Sequence, residues 1–407
     1  MPTPPLADDA RVTLHPLHIG GPEDGLREVG RPETGVFIAL PEEGVALIAW
    51  LHQGCPLSEV RAHFTESFGV APELDEFIEG LADCGFVKDI DGLPVGAAPA
   101  SQPAGGWRLF ATLPTRWFGW LLSSPSRVAY RLLWAALPAL LIWRPDLLPR
   151  PKDTLLVDGV MLNAVIVALL AWAMVFLHEL AHLVTARARG AVGALSLSRR
   201  MYFLVAQTDM SGVRALPRAE RYAPYLAGMT LEAGVLLTCL LLRLADAGGG
   251  LPATLAYVVT IQLLFQCALF LRTDLYFVLT NRLRAGNLAD DTRQVLRAQW
   301  RRATGGPPVD LGAIPARERR LVRWYLPFYA AGVAAALADL VLLIVPALVT
   351  MCRRAAAELA GPHLLHQAEA AAFLAIVAFN LGSVTVIALR QRRRQAAAAA
   401  AAAAATA

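Results

Sequence analysis

Lysine is almost missing from this chain. Lys88 and Lys152 are the only two, so nearly all of its 37 basic residues are arginine. Cysteine is sparse as well: Cys55, Cys84, Cys239, Cys267 and Cys352 form no C-x-x-C pair, which argues against a cysteine-based structural zinc site and a disulfide framework. Reduced thiols are expected. Charged residues make up only 17% of the 407, while 56% are hydrophobic and the mean hydropathy is +0.46, too apolar for an ordinary soluble protein. The first thirty residues contain no apolar core segment and carry Asp8, Asp9, Glu23, Asp24 and Glu28. No signal peptide is therefore expected, and the amino terminus is expected in the cytoplasm.

Six apolar stretches approach the ~20 residues that cross a hydrocarbon core: 128–143, 158–186, 223–243, 252–280, 325–350 and 370–389. If all six cross, the loops 187–221 and 281–324 and the tail 390–395 share one side and hold 21 arginines, against six basic residues on the other side. That asymmetry places the arginine-rich side, and both termini, in the cytoplasm. The expected fold is mainly α: a polytopic six-span helical bundle over 125–390, preceded by a small α/β winged-helix-like domain over 12–95. In that domain Val36–Leu40 reads as a strand, and Glu42–His52, Leu57–Phe68 and Glu73–Asp83 read as helices. A Pro/Ala/Gly linker and interfacial segment fills 96–124, where Trp107, Trp117 and Trp120 suit either a membrane interface or packing on the first span. Residues 391–407 form a low-complexity alanine tail.

The motif that carries chemistry is His178-Glu179-Leu180-Ala181-His182, at the end of the second apolar stretch. Residues four apart share a helix face, so His178 and His182 can hold one Zn²⁺ while Glu179 reaches a water beside it. Two histidines leave room for a third protein ligand, and Asp274, costly in an apolar segment, is the candidate. Its alternative is a helix-end ion pair with Arg272 or Arg282. Glu232, Gln262 and Gln266 are further polar groups in apolar stretches, read as interhelical hydrogen bonders before a hydrated path. Asp339 and Asn380 are assigned no chemistry. His15/His18 and His363/His366 have pair spacing but no third ligand nearby in sequence.

A membrane-embedded H-E-x-x-H followed by an aspartate motif on another helix resembles the site-2 protease family of intramembrane zinc metalloproteases. The second motif here reads Leu271-Arg272-Thr273-Asp274-Leu275, with Leu275 where that family usually has glycine. The resemblance implies Zn²⁺ on His178, His182 and Asp274, Glu179 as general base, and a hairpin built from Ala194–Ser198 and Met201–Thr208 that holds substrate as an added strand. A plain cytoplasmic loop is the alternative for that segment.

The amino-terminal region, through Gly35–Leu40, Leu51-His52-Gln53-Gly54-Cys55-Pro56-Leu57-Ser58-Glu59-Val60 and Leu81-Ala82-Asp83-Cys84-Gly85-Phe86-Val87, resembles PqqD-like domains, winged-helix modules that recognise leader peptides. Glu59, Glu66, Glu73, Asp75, Glu76 and Glu79 make its helices acidic, which disfavours nucleic acid as a partner. The expected function is hydrolysis of a peptide bond in a peptide precursor or membrane-associated substrate, in the bacterial cytoplasmic membrane. Expected partners are that substrate, the lipid bilayer and a peptide exporter. A non-catalytic peptide-binding scaffold for an exporter, or regulated cleavage of a signalling protein, are the rivals.

Overall fold

The computed structural model describes residues 6–23, 25–31, 34, 36–95, 117–191, 194–200, 203–286, 288–306, 311, 314 and 316–405. Residues 96–116 of the linker and interfacial segment read at 96–124, Trp107 among them, lie outside them.

Six short strands and three helices build the amino-terminal unit. Strands β1 (Val12–Leu14), β5 (Val87–Ile90) and β6 (Leu93–Pro94) form one antiparallel sheet, and β2 (His18–Glu23), β3 (Leu26–Arg31) and β4 (Val36–Pro41) form another. Helices α1 (Glu42–His52) and α2 (Leu57–Phe68) have the bounds that periodicity predicts; α3 (Leu74–Asp83) begins one residue later. Apolar residues at helical spacing, Leu47, Ile48 and Leu51 of α1 and Leu57, Val60 and Phe64 of α2, meet Leu74, Ile78, Leu81 and Phe86 in one core. Strands β2 and β3 escape a reading by hydrophobic alternation because they are HIGGPE and LREVGR.

The rest of the described residues are mainly helical. Among the described residues, four helical segments, Met161–Ala188, Arg218–Leu244, Arg317–Leu359 and Leu364–Arg390, are long and apolar enough to cross a membrane. The most apolar window of Arg317–Leu359 buries none of its residues inside the protein, and that of Leu364–Arg390 only 6%. Water penalises such surface at about 25 cal/mol per Å², and hydrocarbon does not. These segments correspond to α5 (Val160–Ala188), α6 (Arg218–Leu244), α10 (Ala316–Asp339) running through a π turn into α11 (Val345–Leu359), and the start of α12 (Leu364–Ala405). The helix thus continues past residue 350, where the apolar reading ended it, and the alanine tail is helical to Ala405.

The other two apolar stretches differ. The first is α4 (Ser124–Trp143), 20 residues that carry Arg127, Arg131 and the internal Pro138. The fourth is divided: α7 (Leu251–Phe265) stops, a short turn follows, and α8 (Asp274–Leu283) starts afresh. Arg272 sits in the left-handed region at φ 59°, a conformation that ends helices and strains a residue with a Cβ. The turn is pinned from outside, because Tyr325 of α10 donates to the Leu269 carbonyl at 2.9 Å. A further helix, α9 (Leu288–Ala303), packs on α10.

Between α5 and α6, β7 (Ala194–Arg200) and β8 (Phe203–Asp209) pair antiparallel from Ala194↔Asp209 to Arg200↔Phe203. The expected ribbon is therefore present, although Met201 and Tyr202 lie outside the described residues.

Candidate metal centre

Helix α5 packs against α6, and α6 against α8. On α5, the i, i+4 spacing turns both imidazoles toward the neighbouring helices, and both are buried. His178 Nε2 lies 2.7 Å and His182 Nε2 3.0 Å from Asp274 Oδ2, and the two nitrogens are 3.0 Å apart. A closed triangle of ligand atoms results. Its edges fall a few tenths of an ångström below the roughly 3.3 Å edge of a tetrahedron drawn at zinc's bond lengths.

The outer nitrogens show what the triangle needs. His182 Nδ1 is 2.7 Å from the Pro224 carbonyl, and His178 Nδ1 is 2.9 Å from Glu232 Oε1, somewhat off the ideal hydrogen-bond line. A carbonyl only accepts, so Nδ1 is the protonated nitrogen of His182, and the same tautomer in His178 would turn its N–H side to the Glu232 carboxylate. Both Nε2 lone pairs would then face the triangle with a carboxylate oxygen. Three acceptors within 3.0 Å repel unless protons or a cation sit among them, and a divalent ion fits that donor set. His178, Glu179 and His182 also form a cluster whose ligand atoms lie within 4.8 Å of one another.

Asp274 owes its place to the break after α7. It is the first residue of α8, where the positive end of the helix dipole favours a carboxylate. Gln266, the last-turn cap of α7, spans the break: its side-chain Oε1 accepts the Asp274 N–H at 3.1 Å and its carbonyl accepts the Thr273 hydroxyl at 2.7 Å. Of the two partners considered for Asp274, Arg272 pairs elsewhere, with Asp290 at 3.2 Å.

Beside the triangle, close approach matters at Gly228. A Cβ built on Gly228 of α6 would lie 2.4 Å from His178 Nε2, so only glycine lets α6 pass beside that ring. Glu179 points to β8 instead. Its Oε2 accepts the Thr208 N–H at 2.5 Å, and its main-chain carbonyl accepts the Thr208 hydroxyl at 2.8 Å.

All four residues expected at the centre are thus in one neighbourhood. Of the additional polar groups, Gln262 makes the interhelical bond expected of it, to Ala171 O at 2.9 Å, and Asn380 bonds Ile376 O in its own helix. Glu232 and Gln266 have more specific positions than the sequence reading gave them. Pro224 and Gly228 went unnoticed, and Thr208 was read only as the last residue of the expected hairpin. Pro224 acts through its carbonyl, Thr208 through its N–H as well as its hydroxyl, and Gly228 through having no side chain, so no side-chain motif signals them. No protein-family model, curated protein or solved structure matches the chain.

Proposed function

We propose that the chain is a membrane-embedded zinc metalloprotease of the site-2 protease type, hydrolysing a peptide bond in a peptide precursor or membrane-associated substrate. The observation that carries the reading is the triangle of His178, His182 and Asp274, with Glu179 one residue along the same helix. Zinc held there would supply a Lewis acid for a carbonyl and lower the pKa of water toward ~7. His178 and His182 are oriented by Glu232 and Pro224, which fix the protons on the outer nitrogens. Glu179 takes a proton from the attacking water and returns it to the leaving amine. The antiparallel pair β7–β8, bonded to Glu179 through Thr208, offers an edge on which an extended substrate can add as a strand.

The proposal extends to topology and partners. All six apolar segments cross, with α7 and α8 as one interrupted crossing, and the arginine-rich loops lie in the cytoplasm. The amino-terminal unit, by its PqqD-like resemblance, recognises the substrate's leader, and an exporter removes the product.

Glu179→Gln tests the chemistry, because the amide keeps the size of the side chain but cannot accept the proton. Peptide profiles of membranes from cells producing equal amounts of each protein, at equal zinc content, would be compared. The variant is expected to lose ~10²–10⁴-fold in processing rate and to accumulate an uncut precursor. Unchanged profiles would leave the non-catalytic scaffold as the better account.

A further inference from the structure

The segment 208–224 touches the metal centre at both ends. Thr208 bonds Glu179, and the Pro224 carbonyl faces His182 Nδ1. Between them a short helical turn, Ser211–Ala215, buries Val213 in a cluster with Ala186 of α5 and Tyr225 of α6, against which Phe277 and Val278 of α8 pack. Ala186 lies about one turn beyond His182, and Phe277 follows Asp274 by three residues. The turn is therefore wedged against the helices that carry the three candidate ligands. On its own it is weakly fixed. Its main-chain bonds are local, from Val213 N–H to the Met210 carbonyl at 2.9 Å and from Leu216 N–H to the Val213 carbonyl at 3.0 Å. A single helical turn orders several residues for few bonds and is marginal without outside contacts.

An outside contact comes from the amino-terminal unit. Strand β3 runs between β2 and β4 and is bonded to both, so its backbone is held from two sides. Side chains alternate along it: Val29 joins the core on which Val36, Ile38 and Leu40 pack, and Glu28 takes the other face, opposite Ala39. The Glu28 carboxylate divides its oxygens. Oε1 accepts from Arg214 Nε, in the turn, at 2.9 Å, and Oε2 accepts from Arg221 Nη2, in the first turn of α6, at 2.6 Å. Arg221 also donates through Nε to the Leu216 carbonyl at 2.6 Å, and the Arg214 guanidinium stands 5.9 Å from the centre of the Phe37 ring on β4. Exposed ion pairs contribute little, but the Glu28 and Arg221 side chains are only 21% and 12% exposed, and the bonds are charge-assisted. Without the carboxylate, two guanidinium groups would be left side by side, and like charges repel.

We propose that Glu28 is a positioning residue for the metal centre: it clips Arg214 to Arg221, holds the turn against α5 and α8, and thereby keeps Thr208 on Glu179 and Pro224 on His182. The inference rests on reading His178, His182 and Asp274 as a metal centre. Docking of the amino-terminal unit and binding of zinc are then linked, each strengthening the other. Hydrogen exchange of the metal-free full chain in detergent, read by mass spectrometry, tests the hold on the segment, and competition with a chromogenic chelator reads zinc affinity. Glu28→Gln keeps the shape of the side chain and removes its charge. It is expected to speed exchange several-fold in the peptide containing the Thr208 amide, to leave exchange in α1 unchanged, and to weaken zinc binding several-fold, less than loss of a direct outer partner does. Should that variant fail to fold, Arg214→Gln, which removes one of the two bonds and leaves the Arg221 pair, is expected to show the same changes in smaller measure. Unchanged exchange at Thr208, or exchange in α1 that quickens to the same degree, overturns the positioning role. So does unchanged zinc affinity in a variant of a wild type that binds zinc, an outcome that leaves the metal centre standing. If the wild type binds no zinc, the metal reading fails, and exchange at Thr208 alone decides whether Glu28 holds the segment.

Discussion

Glu232 is 1% exposed in the middle of an apolar helix, where an unpaired carboxylate would be expensive, and its Oε1 lies against His178 Nδ1. Such outer partners set both the tautomer and the basicity of a ligand. Glu232→Gln keeps an acceptor but removes the charge, and should weaken zinc binding by about tenfold, at the low end of what loss of an outer partner costs. Competition with a chromogenic chelator would measure it. Asp274→Ala should be more severe, because two remaining protein ligands hold zinc poorly; metal analysis of purified protein should fall from about one zinc per chain to a small fraction. Full occupancy in that variant would remove Asp274 from the centre. The side chains that the structure brings together were legible because H-E-x-x-H is both rare and helically spaced, and because an aspartate in an apolar run demands a reason. Gly228 and Pro224 were not, since what matters there is how closely two helices pass and where a main-chain oxygen points.

Periodicity gave α1, α2 and α3 within a residue, because each buries an amphipathic face in one compact core. The same reasoning ran 252–280 together, since hydropathy measures how apolar a stretch is and not whether its backbone turns. The turn at Arg272 is enforced by contacts from far along the chain, Tyr325 on Leu269 and Asp290 on Arg272. At the junction of α9 and α10, burial first, and then Glu318 and Asp290 nearby, push the Asp291 carboxyl up to about 7. A folded-state value above the unfolded ~3.9 means the native protein keeps a proton that the unfolded chain releases. The resulting stability is full below ~4 and is lost as pH rises through about 7. Asp291→Asn removes that dependence. Between pH 5 and pH 8 in detergent, the wild type should therefore lose more melting temperature than the variant does, and parallel losses would show that Asp291 is not the group responsible.

For the molecule as a whole, the proposed orientation rests on the arginine asymmetry counted with all six apolar stretches crossing. A cysteine placed at Gly305, between α9 and α10, in a chain freed of its native thiols, should be labelled by a membrane-impermeant maleimide only from the cytoplasmic face. Labelling from the outside would invert the molecule and carry the metal centre to the opposite leaflet. The two halves of the chain also meet through ions, with Glu28 of β3 held between Arg214 and Arg221. That contact was hidden in the sequence because its partners are about 190 residues apart and none belongs to a motif.

Thr208 gives Glu179 a main-chain N–H, and a main-chain donor is supplied by nineteen of the twenty amino acids. The hold on the Glu179 carboxylate is therefore written into the path of β8, not into its spelling. Residue 208 can drift in sequence without releasing the carboxylate, and proline alone would cut the tie outright.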